Sequence, residues 1–344
     1  MPTGLNLMSL LLLCSLLFLG SAILTGLFRW AAQRVRLVAV PVSRSAHSTP
    51  VPVGGGVSIV ALILLVIAYC YFTDQIPANE FAALMAAIVI AIIGIVDDVK
   101  QLDVRWRIPA QFLASAFVVY CLGDVPAIDF GLFIFSESIL LNVLGVFALV
   151  WLLNLYNFMD GIDGIAATEL IVVNLVSLII VINSDSVLTL LSASFAAATG
   201  GFLLWNWAPA KIFMGDVGSS FIGFTLGVMA LLSLHHGSMT VWTWVLLLGV
   251  FIVDTTLTLF VRYRGKQRWH EGHASHAYQN AARHYKSHAK VTITVVLINL
   301  FWLGPLAWFS MQYPKMGLVI AAIGLIPLLL LAKRFGAGHE NFSF

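Results

Sequence analysis

The segment NLYNFMDGIDG, at residues 154–164, carries the densest group of side chains able to do chemistry. Asp160 and Asp163 are spaced i, i+3, which places both carboxylates on one face in helical geometry, and Asn157 adds an amide one turn earlier. Capping of the following helix would account for one aspartate, since Asp is a preferred N-cap residue. It does not explain both acids together with the asparagines, so we predict a functional segment here.

A second acidic pair, Asp97 and Asp98, ends an apolar run in GIVDDVK. Adjacent carboxylates repel, and near low dielectric at least one favours its protonated form unless a cation lies between them. Mg²⁺ suits such a pair because it takes carboxylate oxygens while keeping waters and substrate phosphates. The alternative for this pair alone is a solvated helix end, with Lys100 pairing with Asp97 if the helix continues.

A third acid, Asp216, lies in the turn KIFMGDVGSS before another apolar run. A helix N-terminus with free amides can receive phosphate, Asp216 would hold a metal that bridges this phosphate, and Lys211 would supply positive charge. Phe213 is placed to stack on a flat base, although an anchor at the membrane interface fits equally well. A polar turn capped by Asp216 is the alternative.

Three histidines, His270, His273 and His276, recur every third residue in a basic stretch at residues 262–290. Zinc is disfavoured, because the HExxH spacing is absent and no thiolate joins the histidines. The arginines and lysine just upstream favour a loop that binds a polyanion. A basic anchor to anionic lipid remains the alternative.

Weaker signals come from Arg44 and His47, in the first polar connection PVSRSAHSTPVPVGGG. Glu169 and Asp254 fall within apolar runs, where ionisable residues are functional suspects. Pairing of these acids with Arg262 or with a backbone amide would also account for them.

The composition identifies an integral membrane protein of all-α class. Hydrophobic residues make up 60% of the 344 residues and charged residues 10%, where a soluble chain has about 25% charged residues, and the mean hydropathy is +0.97. A net charge of +2 gives no nucleic-acid footprint, so no nucleic-acid partner is expected. Cys14, Cys70 and Cys121 each lie in apolar runs, which disfavours disulfides.

Hydropathy predicts about eleven transmembrane spans in one domain covering residues 1–344, the first of them uncleaved. The predicted spans are 5–28, 56–73, 81–96, 108–122, 132–153, 166–183, 187–205, 218–235, 240–261, 291–312 and 316–332.

The basic residues sort by side of the membrane. Every Lys and Arg except Lys315 falls in connections on one side, which the positive-inside rule makes cytoplasmic. The N-terminus is then outside and the C-terminus inside. Because every polar, glycine-bearing connection falls on this same side, we predict one composite active site at the cytoplasmic face.

These motifs, in this order and on one side, resemble those of the polyprenyl-phosphate N-acetylhexosamine-1-phosphate transferases of glycosyltransferase family 4. The resemblance runs from about residue 41 to residue 280 and is most specific in NFMDGIDG followed by FMGDVGS. It implies that a UDP-N-acetylhexosamine gives its sugar-1-phosphate to undecaprenyl phosphate and releases UMP. It also implies Mg²⁺, with Mn²⁺ as a substitute.

The resemblance further implies residue roles. Asp97, Asp98, Asp160 and Asp163 resemble the catalytic acids, while Asp216, together with Asp97, resembles the metal ligands. The substrate-binding residues by resemblance are Arg44, His47, Asn157, Lys211, Phe213, His270, His273 and His276.

The form GHASHAYQ resembles the bacterial branch that starts O-antigen synthesis on lipopolysaccharide at the inner membrane. Phospho-muramoyl-pentapeptide transferases of peptidoglycan synthesis carry a tighter histidine cluster, and they remain an alternative. A transporter or flippase and a non-catalytic scaffold are two further alternatives. We expect membrane lipid to surround the protein, and the sequence is compatible with a homodimer.

Overall fold

The computed structural model describes residues 7–39, 49–267, 273–340 and 342. The α-helices of these residues are α1 Leu7–Arg34, α2 Val57–Phe72, α3 Ala78–Met85, α4 Ala87–Lys100, α5 Val104–Leu122, α6 Ser138–Met159, α7 Ile165–Val181, α8 Ser186–Asn206, α9 Asp216–His235, α10 Val241–Leu247, α11 Gly249–Arg264, α12 Ala277–Tyr285, α13 His288–Ile298, α14 Gly304–Gln312 and α15 Gly317–Arg334. A π-helical turn, Asn299–Leu303, joins α13 to α14, and a 3₁₀ turn, Pro314–Met316, precedes α15.

Two antiparallel ladders of two residues per strand are the only β structure in the described ranges. Strand β1, Val38–Ala39, pairs with β2, Val51–Pro52. Strand β3, Ile128–Asp129, pairs with β4, Ile134–Phe135. The predicted all-α, polytopic class is therefore confirmed. The described part of the basic stretch 262–290 includes all of α12.

The predicted count of eleven spans is not confirmed. Seven described helical segments are long and apolar enough to cross a membrane, and an eighth results if α10 and α11, bent by 79°, count as one span. Helices α2 and α7 have 16 and 17 residues, about 24–26 Å at 1.5 Å per residue, against an apolar core of ~30 Å. Each predicted segment overlaps a helix, but several helices are shorter or more bent than a simple span. The orientation of the termini stays a prediction.

Helix α9 is the centre of the bundle. Of the residues in its apolar segment, 89% are buried, against 17% of those in the apolar segment of α1, which faces outward. Helix α4 packs closely on the first turn of α9, because Gly94 has no side chain to hold them apart. A Cβ at Gly94 would lie 2.5 Å from the Val217 Cα. The end of α4, where Asp97 and Asp98 lie, is thereby held against the start of α9, where Asp216 lies.

Candidate active site

A cavity of about 330 Å³ lies where the ends of α4 and α6 meet the start of α9. Four carboxylates line it, from three stretches of chain that are far apart in sequence: Asp98, Asp160, Asp163 and Asp216. The remaining wall includes Asn157, Phe213, His273, Gln279 and His288. The structure therefore brings the predicted acidic segments together at one end of the bundle.

Asp98 is the cap of helix α9. Its Oδ1 accepts a hydrogen bond from the Asp216 amide at 2.9 Å, and its Oδ2 accepts one from the Val217 amide at 3.2 Å. Gly215 makes this approach feasible, because its φ of +78° favours glycine. A Cβ there would also lie 2.6 Å from the Asp98 Oδ2. The DD and GD motifs are thus one unit, joined by a carboxylate at a helix N-terminus.

The expectation of free amides at this helix start is wrong. Asp98 takes the amides of Asp216 and Val217, and the Gly218 and Ser219 amides both donate to the Gly215 carbonyl, at 3.1 and 3.0 Å. The first amides of α9 are therefore not available to a phosphate in the cavity.

Asp97 lies behind Asp216 and forms an ion pair with Arg107. The chain reverses at Gln101, whose φ is +51°, and restarts as α5 at the Asp103 cap, which returns Arg107 to Asp97 for a short ion pair. The other Asp97 oxygen accepts the Leu102 amide at 2.6 Å. Both Asp97 oxygens thus have protein partners, and Asp97 does not line the cavity.

Arg107 also reaches toward the cavity acid. Its Nη1 lies 3.5 Å from the Asp216 Oδ2. On the other side of this carboxylate, the Asn157 Nδ2 donates to the Asp216 Oδ1 at 2.8 Å and to the Ser219 Oγ at 2.9 Å. Asp216 is therefore held in one orientation by a cation on one oxygen and an amide on the other.

Asp160 is the least compensated acid of the site. Within the described ranges, no hydrogen bond or ion pair reaches its carboxylate, although its backbone amide donates to the Asn157 carbonyl at 3.2 Å. Burial raises the pKa of Asp160 well above its ordinary value, and the charges of Asp216, Asp98 and Asp163 raise it further. A carboxylate in this position has its charged form stabilised only by a cation.

Asp163 ties the DGIDG segment to two other parts of the chain. Its Oδ2 accepts the Ala210 amide at 3.1 Å and lies 3.3 Å from the His288 Nδ1 at the start of α13. Its backbone carbonyl accepts a hydrogen bond from Thr292 at 3.0 Å. Asp163 therefore faces the cavity with much of its hydrogen-bonding capacity already used.

The predicted histidines separate in the structure. His273 lines the cavity, with its Nδ1 3.0 Å from the Ser275 Oγ. His276 is buried and stacks on His273 at 5.0 Å between ring centroids. Its Nδ1 faces the Asp254 Oδ1 at 3.2 Å, away from the carboxylate cluster. His276 thus supports His273 and does not line the cavity.

The two intramembrane acids have structural partners. Asp254 accepts the amides of Ala277 and Tyr278 at 3.0 and 2.9 Å, and so fixes the first turn of α12. Glu169 accepts a short hydrogen bond from the Asn299 side-chain amide at the π-helical turn. Neither lines the carboxylate cavity, which agrees with the backbone-amide alternative for Asp254.

Phe213 lines the cavity and is fixed by its backbone. Its amide donates to the Pro52 carbonyl at 2.8 Å, and its carbonyl accepts the Gly55 amide at 2.9 Å. The VPVGGG turn thus holds the aromatic ring at the rim. Lys211 is elsewhere: its Nζ lies over the Trp205 ring, 5.7 Å from the centroid. Arg44, His47 and His270 lie outside the described residues.

The donor set fits Mg²⁺ bound in part by substrate. Among the described residues, no group of three or more His, Cys, Asp or Glu side chains is arranged to hold a metal alone. Mg²⁺ is commonly bound by one or two carboxylates together with waters and substrate phosphates. Asp216 and Asp160 supply such a pair of oxygen donors on one cavity.

Three site residues were not predicted from the sequence: Arg107, Gln279 and His288. Arg107 follows the DD motif within DVRWR, but its return to Asp97 depends on the turn at Gln101. His288 lies beyond the regularly spaced histidines, in YKSH, and only the packing of α13 brings it to Asp163. A search for side chains near a helix start would have found His288.

Residues 80–234 match the family model described as Glycosyl transferase family 4. The chain is 29% identical over 330 residues to a protein of Bacillus subtilis (strain 168) named "Probable undecaprenyl-phosphate N-acetylglucosaminyl 1-phosphate transferase", over 93% of this chain and 90% of that protein. The matched residues include the DD, DGIDG and GD motifs that meet at the cavity.

Two further relatives differ in named activity. A Mycobacterium leprae (strain TN) protein named "Decaprenyl-phosphate N-acetylglucosaminephosphotransferase" is 32% identical over 227 residues, which cover 59% of this chain and 56% of that protein. A Wolbachia pipientis wMel protein named "Phospho-N-acetylmuramoyl-pentapeptide-transferase" is 25% identical over 272 residues, 73% of this chain and 80% of that protein. The resemblance to polyprenyl-phosphate N-acetylhexosamine-1-phosphate transferases is thus confirmed by these relatives and by the match of residues 80–234 to the family model.

Proposed function

We propose that this membrane enzyme transfers N-acetylhexosamine-1-phosphate from a UDP-sugar to undecaprenyl phosphate. The observation that carries the proposal is the convergence of four carboxylates on one cavity, where no described side chain pairs with the Asp160 carboxylate. The names of the Bacillus and Mycobacterium relatives support a polyprenyl phosphate as acceptor and an N-acetylglucosamine phosphate as the transferred group.

In the reaction, the sugar-bearing β-phosphate exchanges its bond to UMP for a bond to the lipid phosphate. An oxygen of the lipid phosphate forms a bond to the β-phosphorus of the UDP-sugar, the bond between this phosphorus and the oxygen of UMP breaks, and UMP leaves with the electron pair. The lipid phosphate is largely deprotonated near neutral pH, since its second pKa is about 6. A general base therefore contributes little, and catalysis rests on charge stabilisation and positioning.

We assign the metal-facing role to Asp216 and Asp160. Mg²⁺ at these carboxylates would neutralise the diphosphate and stabilise charge on the leaving phosphate. This assignment replaces the expected ligand Asp97, whose oxygens are engaged by Arg107 and Leu102. Asp97 instead orients Arg107 toward Asp216.

The other cavity residues position these two acids. Asn157 and Arg107 hold Asp216 from opposite oxygens. Asp98 fixes the first turn of α9, so that Asp216 points into the cavity. Asp163 ties the DGIDG segment to α13 through His288. Together they keep the acids preorganised before substrate enters, which lowers the cost of binding a charged transition state.

Two walls of the cavity are suited to the ends of the donor. Phe213 presents an aromatic ring, and base stacking on such rings tolerates any planar base. His273 and Gln279 lie on another wall and offer hydrogen bonds to the diphosphate and sugar. We place uracil at Phe213 and the N-acetyl sugar toward His273.

We further propose that the enzyme starts a surface glycan, O-antigen of lipopolysaccharide being our choice, at the bacterial inner membrane. The spacing GHASHAYQ supports this branch over the peptidoglycan transferases. The location of nearly all basic residues on the side that carries the site motifs supports a cytoplasmic active site.

The test uses the full chain in lipid nanodiscs with undecaprenyl phosphate and Mg²⁺. A panel of UDP-N-acetylhexosamines, with UDP-N-acetylmuramoyl-pentapeptide as competitor, is scored for UMP and for lipid-linked sugar in equal amounts. We expect turnover with at least one simple N-acetylhexosamine donor and none with the pentapeptide donor. Turnover with the pentapeptide donor alone would move the chain to the peptidoglycan branch, and no UMP from any donor would refute the transferase.

A further inference from the structure

A second cavity, separate from the carboxylate site, lies among α11, α12, α13 and α15. Its volume is about 530 Å³, and its wall is mostly apolar. It runs along α13 from Lys290 to Ile298. This distance is about 12 Å at 1.5 Å per residue. It is most of the thickness of one leaflet, which is half of the ~30 Å apolar core. We call it the α13–α15 groove.

The polar groups deep in the groove are already satisfied. The Asp254 carboxylate accepts backbone amides of α12, the Tyr278 hydroxyl donates to the Phe158 carbonyl at 2.9 Å, and the Thr294 hydroxyl donates to the Lys290 carbonyl at 2.8 Å. The groove wall therefore offers contact mainly to an apolar chain.

The end of the groove is basic. Lys290 lines it, and Lys286 lies in the short connection between α12 and α13. The last turn of α15 adds Lys333 and Arg334, between the lining residues Ala332 and Phe335. Across the described part of the chain, no carboxylate lies within ion-pair distance of any of these four cations. An apolar slot with a basic mouth complements a lipid with an anionic headgroup.

The groove and the carboxylate cavity have no lining residue in common. Tyr278 and Asp254 line the groove, are 4% and 5% exposed, and do not line the carboxylate cavity. A headgroup at Lys290 therefore lies in a different cavity from Asp160 and Asp216. The occupant suited to this geometry is a lipid that does not react.

We propose that the α13–α15 groove binds one acyl chain of an anionic phospholipid, with the headgroup phosphate held by Lys290 and its basic neighbours. The same first turn of α12 places Tyr278 on the groove and Gln279 on the carboxylate cavity. A lipid in the groove thus packs behind a wall of the active site and supports it.

The test is photocrosslinking of the full chain in phosphatidylcholine nanodiscs. Trace phosphatidylglycerol with a diazirine in one acyl chain is compared with the matched phosphatidylcholine probe, and labelled peptides are mapped by mass spectrometry. We expect phosphatidylglycerol to label the groove faces of α13 and α15 about fivefold more strongly, as one basic contact predicts. Lys290→Gln should remove this preference, whereas Lys315→Gln, at the other end of the bundle, should retain it.

A second variant tests the slot itself. Ala332→Phe places a ring in the groove and should block labelling by both probes, with folding checked by size-exclusion chromatography. If it does not fold, Lys290→Gln, which changes only an exposed side chain, decides alone. Equal labelling by both probes, or labelling spread evenly over lipid-facing helices such as α1, would overturn the proposal. Preferential labelling by a polyprenyl phosphate probe would overturn it as well, because the occupant would then be the reacting lipid.

Discussion

The two ends of the bundle use the same kinds of residue for opposite purposes. At one end, Asp185 caps α8 and accepts the His236 Nδ1 at 2.7 Å and the Ser238 hydroxyl at 2.9 Å. The other ring nitrogen of His236 lies 3.0 Å from a Glu80 oxygen. Asp185 and Glu80 thus each have a partner within the protein.

At the carboxylate end, four acids share one cavity and Asp160 has no partner among the described residues. Burial and its neighbours raise the pKa of Asp160, whereas at the opposite end the pKa of Asp185 is lowered: burial alone would raise it, but the His236 and Leu188 hydrogen bonds more than offset that. Compensated acids indicate stability, and uncompensated acids indicate a site that is completed by a cation and its substrate.

The strongest contrast is expected from removing one acid at each end. Asp160→Asn should lower transfer activity about 10²–10³-fold, as loss of one preorganised electrostatic group does, without lowering the melting temperature. Asp185→Asn should retain activity but lose about 3 kcal/mol of stability, because His236 keeps its charge and loses its main partner. UMP release and thermal unfolding of both variants measure this. Comparable loss of activity in the two would remove the distinction between the ends.

The close approach of α4 and α9 gives the next effect. Gly94→Ala places a Cβ 2.5 Å from backbone atoms of Val217, which pushes Asp98 off the start of α9 and displaces Asp216. A shift of this size should lower kcat about 100-fold. Gly20→Ala is the matched control, since its Cβ would meet only Leu62 methyl groups at 3.8 Å or more. Full activity in Gly94→Ala would show that helix spacing does not set the site.

A smaller effect is expected at the rim. Phe213→Leu should raise KM for the UDP-sugar about tenfold with little change in kcat, because base stacking on an aromatic ring contributes about 1–3 kcal/mol. Phe117→Leu, on an exposed apolar face, is the control. Initial rates across a donor titration decide between them. An unchanged KM would remove uracil from Phe213.

The smallest effect concerns pH. The hydrogen bonds that His236 donates to Asp185 and Glu80 raise its pKa from 6.5 to about 10. Because this pKa is raised in the folded state, its stabilisation is complete below pH 6.5 and declines steadily until pH 10. Asp185, with its pKa lowered, contributes only above its ordinary value of 3.8. The melting temperature should fall more steeply from pH 6.5 to 10 in the wild type than in His236→Gln, and parallel curves would contradict this pairing.

The sequence predicted the acids better than their partners. The sorting of charge by side placed Asp98, Asp160 and Asp216 on one face, and the cavity joins them. Sequence could not predict that Asp98 would cap α9, because its partners are backbone amides 118 residues away. The sequence also could not predict that the Lys211 ammonium group would lie over the Trp205 ring, because this contact depends on how the chain packs.

For the fold as well, the sequence predicted some features and missed others. Hydropathy alone predicted the long apolar helices such as α1 and α6. The bend of 79° between α10 and α11, and the shortness of α2 and α7, did not follow from hydropathy. The predicted count of eleven spans therefore stays unconfirmed.

The most direct test of the central claim is UMP release by Asp216→Asn in nanodiscs with saturating Mg²⁺, UDP-sugar and undecaprenyl phosphate. Asparagine preserves the shape of this side chain but removes the charge that Asn157 and Arg107 hold in place. We expect turnover to fall about 10³-fold with the fold intact. Turnover near that of the wild type would show that these acids do not form the catalytic centre.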